Sequence, residues 1–364
     1  MKQIPEYPWD LMAPHAERAR AHPDGIVDLS IGSPVDPTPP IIRQALAAAT
    51  DAHAYPQTTG TPELRRAIVE WFERRRGVTG LAERNVLPTI GSKELVALLP
   101  FLAGVGDGDV VVHPRAAYPT YAIGAAIAGA TAFASDDPGE WPDATKLIWL
   151  NSPGNPDGRV LPVEHLRAAR ERARELGALI VSDECYAELG WDAPWDTERV
   201  PSILDPRVIG GDRHNVLAVY SLSKQSNMAG YRAAFVAGCS AVIDRLLAVR
   251  KHAGLMLPAP LQEAMIAALG DDGHVERQKQ IYRARRDVLL PALRRAGFRI
   301  DHGEAGLYLW ATEGRDAWRS IDRLAGLGIL AGPGHFYGSF YPDHVRFSLT
   351  ASDERIAAAA ERLG

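Results

Sequence analysis

From Val86 onward the chain alternates short apolar runs with longer stretches whose apolar residues recur every three or four positions. Val86–Ile90, Asp109–His113, Lys146–Leu150, Ala178–Ser182 and Val216–Tyr220 are mostly apolar and too short for helices. Runs of that kind predict strands buried on both faces, and the amphipathic stretches between them, such as Pro162–Leu176, predict covering helices. Strand and helix in alternation imply an α/β fold with a mainly parallel sheet. Past about Ser240 the pattern changes. Long helical stretches (Ala241–His252, Leu261–Leu269, Val275–Ala296) give way to strands at Phe298–Asp301, Leu307–Ala311 and Val345–Leu349, then a closing helix, which reads as a smaller α+β body. The first forty residues are irregular and Pro-rich, as suits an ordered arm. The expected division is an arm over 1–40 that joins the small domain, a large domain over 41–250 and a small domain over 251–364.

Composition narrows this picture mainly by exclusion. Apolar residues make up 46% and charged residues 23% of the 364 positions, an ordinary balance for a globular chain. A net charge of −5 gives no electrostatic case for nucleic acid or an anionic membrane. Cys185 and Cys239 form neither a disulfide framework nor a zinc pattern, so no metal is expected and a reducing cytoplasm is the default location. The opening MKQIPEYPWD has no apolar core and is no signal peptide. Residues 116–135 carry no charge, but they are rich in Ala and Gly and contain Pro119, so a buried helix followed by a strand is expected rather than a membrane span.

The chemistry sits in four polar clusters that follow predicted strands, where ligands of open parallel sheets bind. Gly91-Ser92-Lys93 opens a helix, and its backbone amides suit a phosphate; alternatively Ser92 simply caps the helix. Gly104-Val105-Gly106-Asp107-Gly108 lacks dinucleotide-binding spacing and reads as a turn. Asn151-Ser152-Pro153-Gly154-Asn155-Pro156-Asp157-Gly158 is a stiff turn able to aim an Asn amide at a ligand. In Ser182-Asp183-Glu184-Cys185-Tyr186, an acid at the end of a buried strand needs a cation, either a salt-bridge partner or a protonated ligand nitrogen. Lys224, in Ser221-Leu222-Ser223-Lys224-Gln225, is the only lysine between Lys146 and Lys251 in a chain that otherwise prefers Arg. An imine-forming amine must shed its proton, which Arg cannot do, whereas Arg232 offers a rigid fork for a phosphate.

Taken in order, GSK, PRAAYPTY, NSPGNPDG, SDECY and SLSKQSNMAGYR resemble the aspartate-aminotransferase family, fold type I of the enzymes that use pyridoxal 5'-phosphate (PLP). The resemblance spans essentially the whole chain. It implies that Lys224 carries PLP as a Schiff base and shuttles protons, that Asp183 pairs with the ring nitrogen, and that Asn155 and Tyr186 bond the ring hydroxyl. Tyr118 would stack on the ring. Gly91, Ser92, Lys93, Ser221 and Arg232 would hold the phosphate, Ser223 would join them in binding the cofactor, and Tyr55 would reach the phosphate of a neighbouring subunit in a homodimer. Arg346, assisted by the backbone of Gly32, would clamp the substrate α-carboxylate, with Asn155 beside it. Asp157-Gly158 stands where many relatives have Thr-Gly, a change of turn that threatens no role.

A closer likeness, carried by GIVDLSIGSPVDPTP, VLPTIGSKELVALLP, SDECYAELGW, AVRKHAG and EAGLYLWAT, is to actinobacterial succinyldiaminopimelate aminotransferases. It implies amino transfer between glutamate and N-succinyl-2-amino-6-ketopimelate in lysine biosynthesis. Other amino acids, or a lyase or decarboxylase reaction, would use the same cofactor residues. A non-catalytic regulator is disfavoured by the intact Lys224 and Arg346 and by the lack of a basic helix-turn-helix before Asp28. Arg250, Lys251 and His252 are nominated for a remote substrate carboxylate, against the alternative of a solvated helix end.

Overall fold

A computed structural model describes residues 8–364; the start of the arm, residues 1–7, lies outside the described residues. Seven strands form the large sheet, in chain order β1 (Val86–Ile90), β2 (Val110–His113), β3 (Thr131–Ala134), β4 (Thr145–Asn151), β5 (Leu179–Asp183), β6 (Val216–Ser221) and β7 (Ala233–Gly238). Their spatial order is β1-β7-β6-β5-β4-β2-β3. All pairings are parallel except those of β7, which runs antiparallel to both neighbours. The carboxyl ends of β1, β4, β5 and β6 therefore share one edge.

The continuous apolar runs are explained by cores on both faces. In β6, Val216, Ala218 and Tyr220 point into one core while Leu217 and Val219 enter the other; in β4, Ile148 and Leu150 oppose Leu147 and Trp149 in the same way. Each side chain withdrawn from water contributes on the order of 1.5–3 kcal/mol, so a strand buried on both faces fixes its register strongly. β7, with the sequence AAFVAG, has no counterpart among the predicted strands. Its Ala-rich composition carries little β signal, and burial of Phe235 and Val236 between the cores holds it.

Residues 116–135 form the helix Thr120–Ala128 followed by β3, and none of the described helices is long and apolar enough to cross a membrane. A four-stranded antiparallel sheet builds the smaller body: β8 (Arg299–Ile300), β9 (Tyr308–Thr312), β10 (Gly332–Pro333) and β11 (His344–Ser348), in spatial order β10-β11-β9-β8. The arm enters that core through Met12, Ala16, Val27 and Leu29. The two helices after the expected boundary at 250/251 join different cores. The helix Ala259–Gly270 buries Leu261, Ala264, Met265 and Leu269 in the core of the large sheet, against the helices Pro40–Ala48 and Pro62–Arg76. The small-domain core is joined first by Tyr282 and Leu289 of the following helix, Asp272–Arg295. Apolar periodicity marks a helix without stating which of two cores receives it.

Candidate active site

Four strand ends deliver the site. Asn151 closes β4 and stands opposite Asp183, the last residue of β5. The Asn151 amide donates to the Pro153 and Asp183 carbonyls (3.1 and 2.9 Å), and its oxygen accepts from the Asn155 backbone N–H at 2.8 Å. That framework fixes the backbone at Asn155. Beyond β5 the two adjacent acids diverge. Glu184 turns into the large domain, where it meets Arg76 at 3.3 Å, the Ser202 hydroxyl at 3.0 Å and the Ile203 amide at 2.8 Å. Asp183 faces the site, and among the described residues no cation pairs with it. Its donors are the Tyr121 hydroxyl (2.9 Å) and the Cys185 backbone N–H (3.2 Å). Burial pushes its carboxyl above the ordinary value, although both donors oppose the shift.

Lys224 lies in the short helix Leu222–Gln225 directly after β6. Its Nζ donates to the Gly32 carbonyl, and it forms no ion pair with any described acid. Burial lowers the pKa of this amine, and the nearby Arg346 and Arg232 lower it further. Ser221 and Ser223 are buried just ahead of it, the Ser221 hydroxyl donating to that of Ser223 at 2.8 Å.

The helix Gly91–Leu102 has no side-chain cap at its N-terminus, so Ser92 is not the helix cap. Gly91 holds φ +71°, and a Cβ there would run into the Arg232 guanidinium. Only glycine leaves the first-turn amides and the Arg232 fork facing one space, an arrangement matched to a phosphate. Tyr118 presents a half-buried ring, set edge-on to Tyr121 at 5.8 Å.

Arg346 on β11 is buried, donating to Asn155 Oδ1 at 2.9 Å and to the Ser30 carbonyl at 2.6 Å. Its guanidinium carbon sits 3.9 Å over the Tyr308 ring and 4.8 Å from that of Tyr337. The Tyr186 and Tyr308 hydroxyls are 3.3 Å apart. The fold thus gathers Gly32, Asn155, Tyr186, Lys224 and Arg346 from both bodies into one cluster, linked through Tyr308. Tyr55 is not brought there; its side chain is 97% exposed.

Arg250 is the clear correction. It is fully buried and grips Glu94 with two bonds (2.8 and 3.1 Å), so it cannot greet a substrate carboxylate. Lys251 and His252 are exposed at the end of the helix Ser240–Ala253. Sequence reasoning also passed over Tyr121 and Tyr308. Tyr121 follows Tyr118 by one helical turn, a spacing that could have paired them; Tyr308 has no signal beyond its place in a buried strand.

The description "Aminotransferase class I and II" matches residues 24–363. The chain belongs to the class I and II aminotransferases. It is 54% identical, over the full length of both, to the 4-dedimethylamino-4-oxo-anhydrotetracycline transaminase OxyQ of Streptomyces rimosus. It is also 54% identical to the probable aminotransferase Rv1178 of Mycobacterium tuberculosis, over 99% of this chain and 85% of that protein. Among solved structures, the N-succinyldiaminopimelate aminotransferase of Mycobacterium tuberculosis superposes with a TM-score of 0.87 at 26% identity, covering 99% of this chain and 97% of that one.

Aminotransferases of this family and fold depend on PLP. The residues present fit that group: a buried acid without a cation, a half-buried amine without an acid, and uncapped helix amides beside an arginine fork.

Proposed function

We propose that Lys224 holds PLP covalently and moves protons through its Nζ, with Asp183 facing the ring nitrogen and Tyr118 stacked on the ring. In this reading Asn155 and Tyr186 bond the ring hydroxyl, and Gly91, Ser92, Lys93, Ser221, Ser223 and Arg232 surround the phosphate. When bound, the cofactor supplies an electron sink for the bonds at the substrate Cα. Arg346, steadied by Asn155 and the Ser30 carbonyl beside Gly32, orients the α-carboxylate of donor and acceptor in turn. The lowered pKa of Lys224 leaves a larger fraction of the amine neutral at working pH, as a proton-accepting nitrogen requires. The observation that carries this reading is the convergence of Lys224, Arg346 and Asn155 from two bodies on one linked cluster of side chains.

The reaction is amino transfer between glutamate and a long dicarboxylic keto acid, N-succinyl-2-amino-6-ketopimelate. Support comes from the motif likeness to succinyldiaminopimelate aminotransferases and from the fold match to the mycobacterial enzyme of that name. A second reading, a bulky ring ketone as acceptor, is favoured by the full-length identity to OxyQ. A homodimer completes the site in both readings, because the exposed Tyr55 needs a second subunit to reach a phosphate; a fully active monomer in sedimentation would remove this part. An acceptor panel separates the substrates. The first reading expects kcat/KM for the succinylated keto acid to exceed that for oxaloacetate, pyruvate and a tetracyclic ketone by about a hundredfold, roughly 2.7 kcal/mol. A higher value for the tetracyclic ketone would install the second reading.

A further inference from the structure

Residues 32–38 run past the site in neither helix nor strand. The upstream end is tied into the site itself. The Ser30 carbonyl accepts from Arg346 at 2.6 Å, the Ile31 carbonyl from the Thr350 hydroxyl at 3.2 Å, and the Gly32 carbonyl from Lys224 Nζ. The downstream end is tied elsewhere. The Asp36 carboxylate accepts from the Arg285 guanidinium at 2.8 and 2.5 Å and from the Gln278 amide at 2.9 Å, both on the helix Asp272–Arg295. The Thr38 hydroxyl donates to the Asn227 carbonyl at 2.8 Å, and the Asn227 amide donates to Gln278 Oε1 at 2.7 Å. The stretch therefore meets Lys224 at one end and Asn227, in the loop just beyond Lys224, at the other.

Burial does little to place this stretch. Ser33, Val35 and Pro37 are exposed, and Pro34 and Pro37 have no N–H to offer a sheet. The need to neutralise Arg285 does not explain Asp36 either. The Arg285 side chain is 3% exposed, but its Nε also donates to Asp353 Oδ1 at 2.6 Å, so the guanidinium keeps a carboxylate without Asp36. Asp353 opens the closing helix Asp353–Leu363 and takes no part in the stretch. We propose that Asp36 is a positioning residue of the site: tied to the helix Asp272–Arg295, it holds the stretch so that the Ser30 and Gly32 carbonyls stay on Arg346 and Lys224. Released at Asp36, the stretch would gain backbone freedom that each binding substrate must remove again. Arg346 would then meet the α-carboxylate with one of its two supports loose.

This role rests on Arg346 and Lys224 serving the substrate as proposed above, and its first test needs no turnover. In full-length, cofactor-free protein, trace acetylation with acetic anhydride followed by peptide mapping reports how shielded the Lys224 amine is. Lys224 of Asp36→Ala should be acetylated about fivefold faster than in the unaltered protein. Asp353→Ala takes the other carboxylate from Arg285 and should leave that rate unchanged. With PLP loaded, Asp36→Ala should raise KM for glutamate about tenfold while kcat and cofactor affinity change by less than about twofold, the pattern of lost binding rather than lost chemistry. Asp36→Asn, which keeps an oxygen for Gln278, should move both readouts the same way by less, and it carries the test if Asp36→Ala does not fold. Unchanged labelling and KM in the Asp36 variants overturn the proposal. Equal changes in Asp353→Ala overturn it too, because the effect would then run through Arg285 and stability. Finding the cofactor on a lysine other than Lys224 would instead sink the proposed function, leaving the labelling contrast in place.

Discussion

Asp183, buried, and Lys224, half-buried, are unusual because neither has a partner of opposite charge among the described residues. Chains rarely tolerate this, since an unpaired buried charge costs several kcal/mol, and tolerance at one site marks where a ligand supplies the missing charge. The sign of the cost can be read from pH. Burial raises the Asp183 carboxyl above its unfolded value. Its contribution to stability is then whole below the ordinary aspartate pKa of about 3.9 and is lost as pH rises through the folded value, because the unfolded chain releases its proton first. In cofactor-free protein, Asp183→Asn should flatten that decline and raise Tm at neutral pH. With PLP bound, the same variant should keep the cofactor and lose most turnover, because a neutral amide cannot hold the ring nitrogen protonated. Identical stability-versus-pH curves for the two proteins would show that Asp183 carries no buried charge.

The elements show how far the sequence could be read. The strand-end positions of Lys224, Asp183 and Asn155 were legible because each follows an apolar run that announces a strand, and strand ends of a parallel sheet share an edge. β7 was not legible, since its Ala-rich run owes its strand state to cores on both sides rather than to its own residues. Tyr308 was hidden for a related reason: an aromatic residue in a buried strand reads as core, and only tertiary packing places it under Arg346. Arg250 failed in the opposite sense. Its neighbours Lys251 and His252 made it resemble a solvated cluster, but the last turns of the helix Ser240–Ala253 rotate it inward to Glu94 near the start of the helix Gly91–Leu102. Arg250→Ala should therefore cost about 3–5 kcal/mol of stability by stranding Glu94, with no change in the ranking of acceptors. A reordered acceptor panel with unaltered Tm would restore Arg250 to a role in specificity.

At the scale of the molecule, the proposed function draws the amine, the acid and the phosphate ligands from the large domain and the carboxylate clamp from the small body. Arg346 crosses between them through Asn155, and in the proposed function donor and acceptor would meet the same clamp and the same Lys224 Nζ one after the other. That single-site geometry has a direct consequence for a half-reaction. PLP-loaded enzyme mixed with glutamate alone, with no keto acid acceptor, should release about one equivalent of 2-oxoglutarate per subunit and then stop, with the amino group retained and no ammonia or carbon dioxide formed. Lys224→Ala should release none on that timescale. Continuous release without an acceptor, release accompanied by ammonia or carbon dioxide, or a full burst from Lys224→Ala would contradict amino transfer at this site.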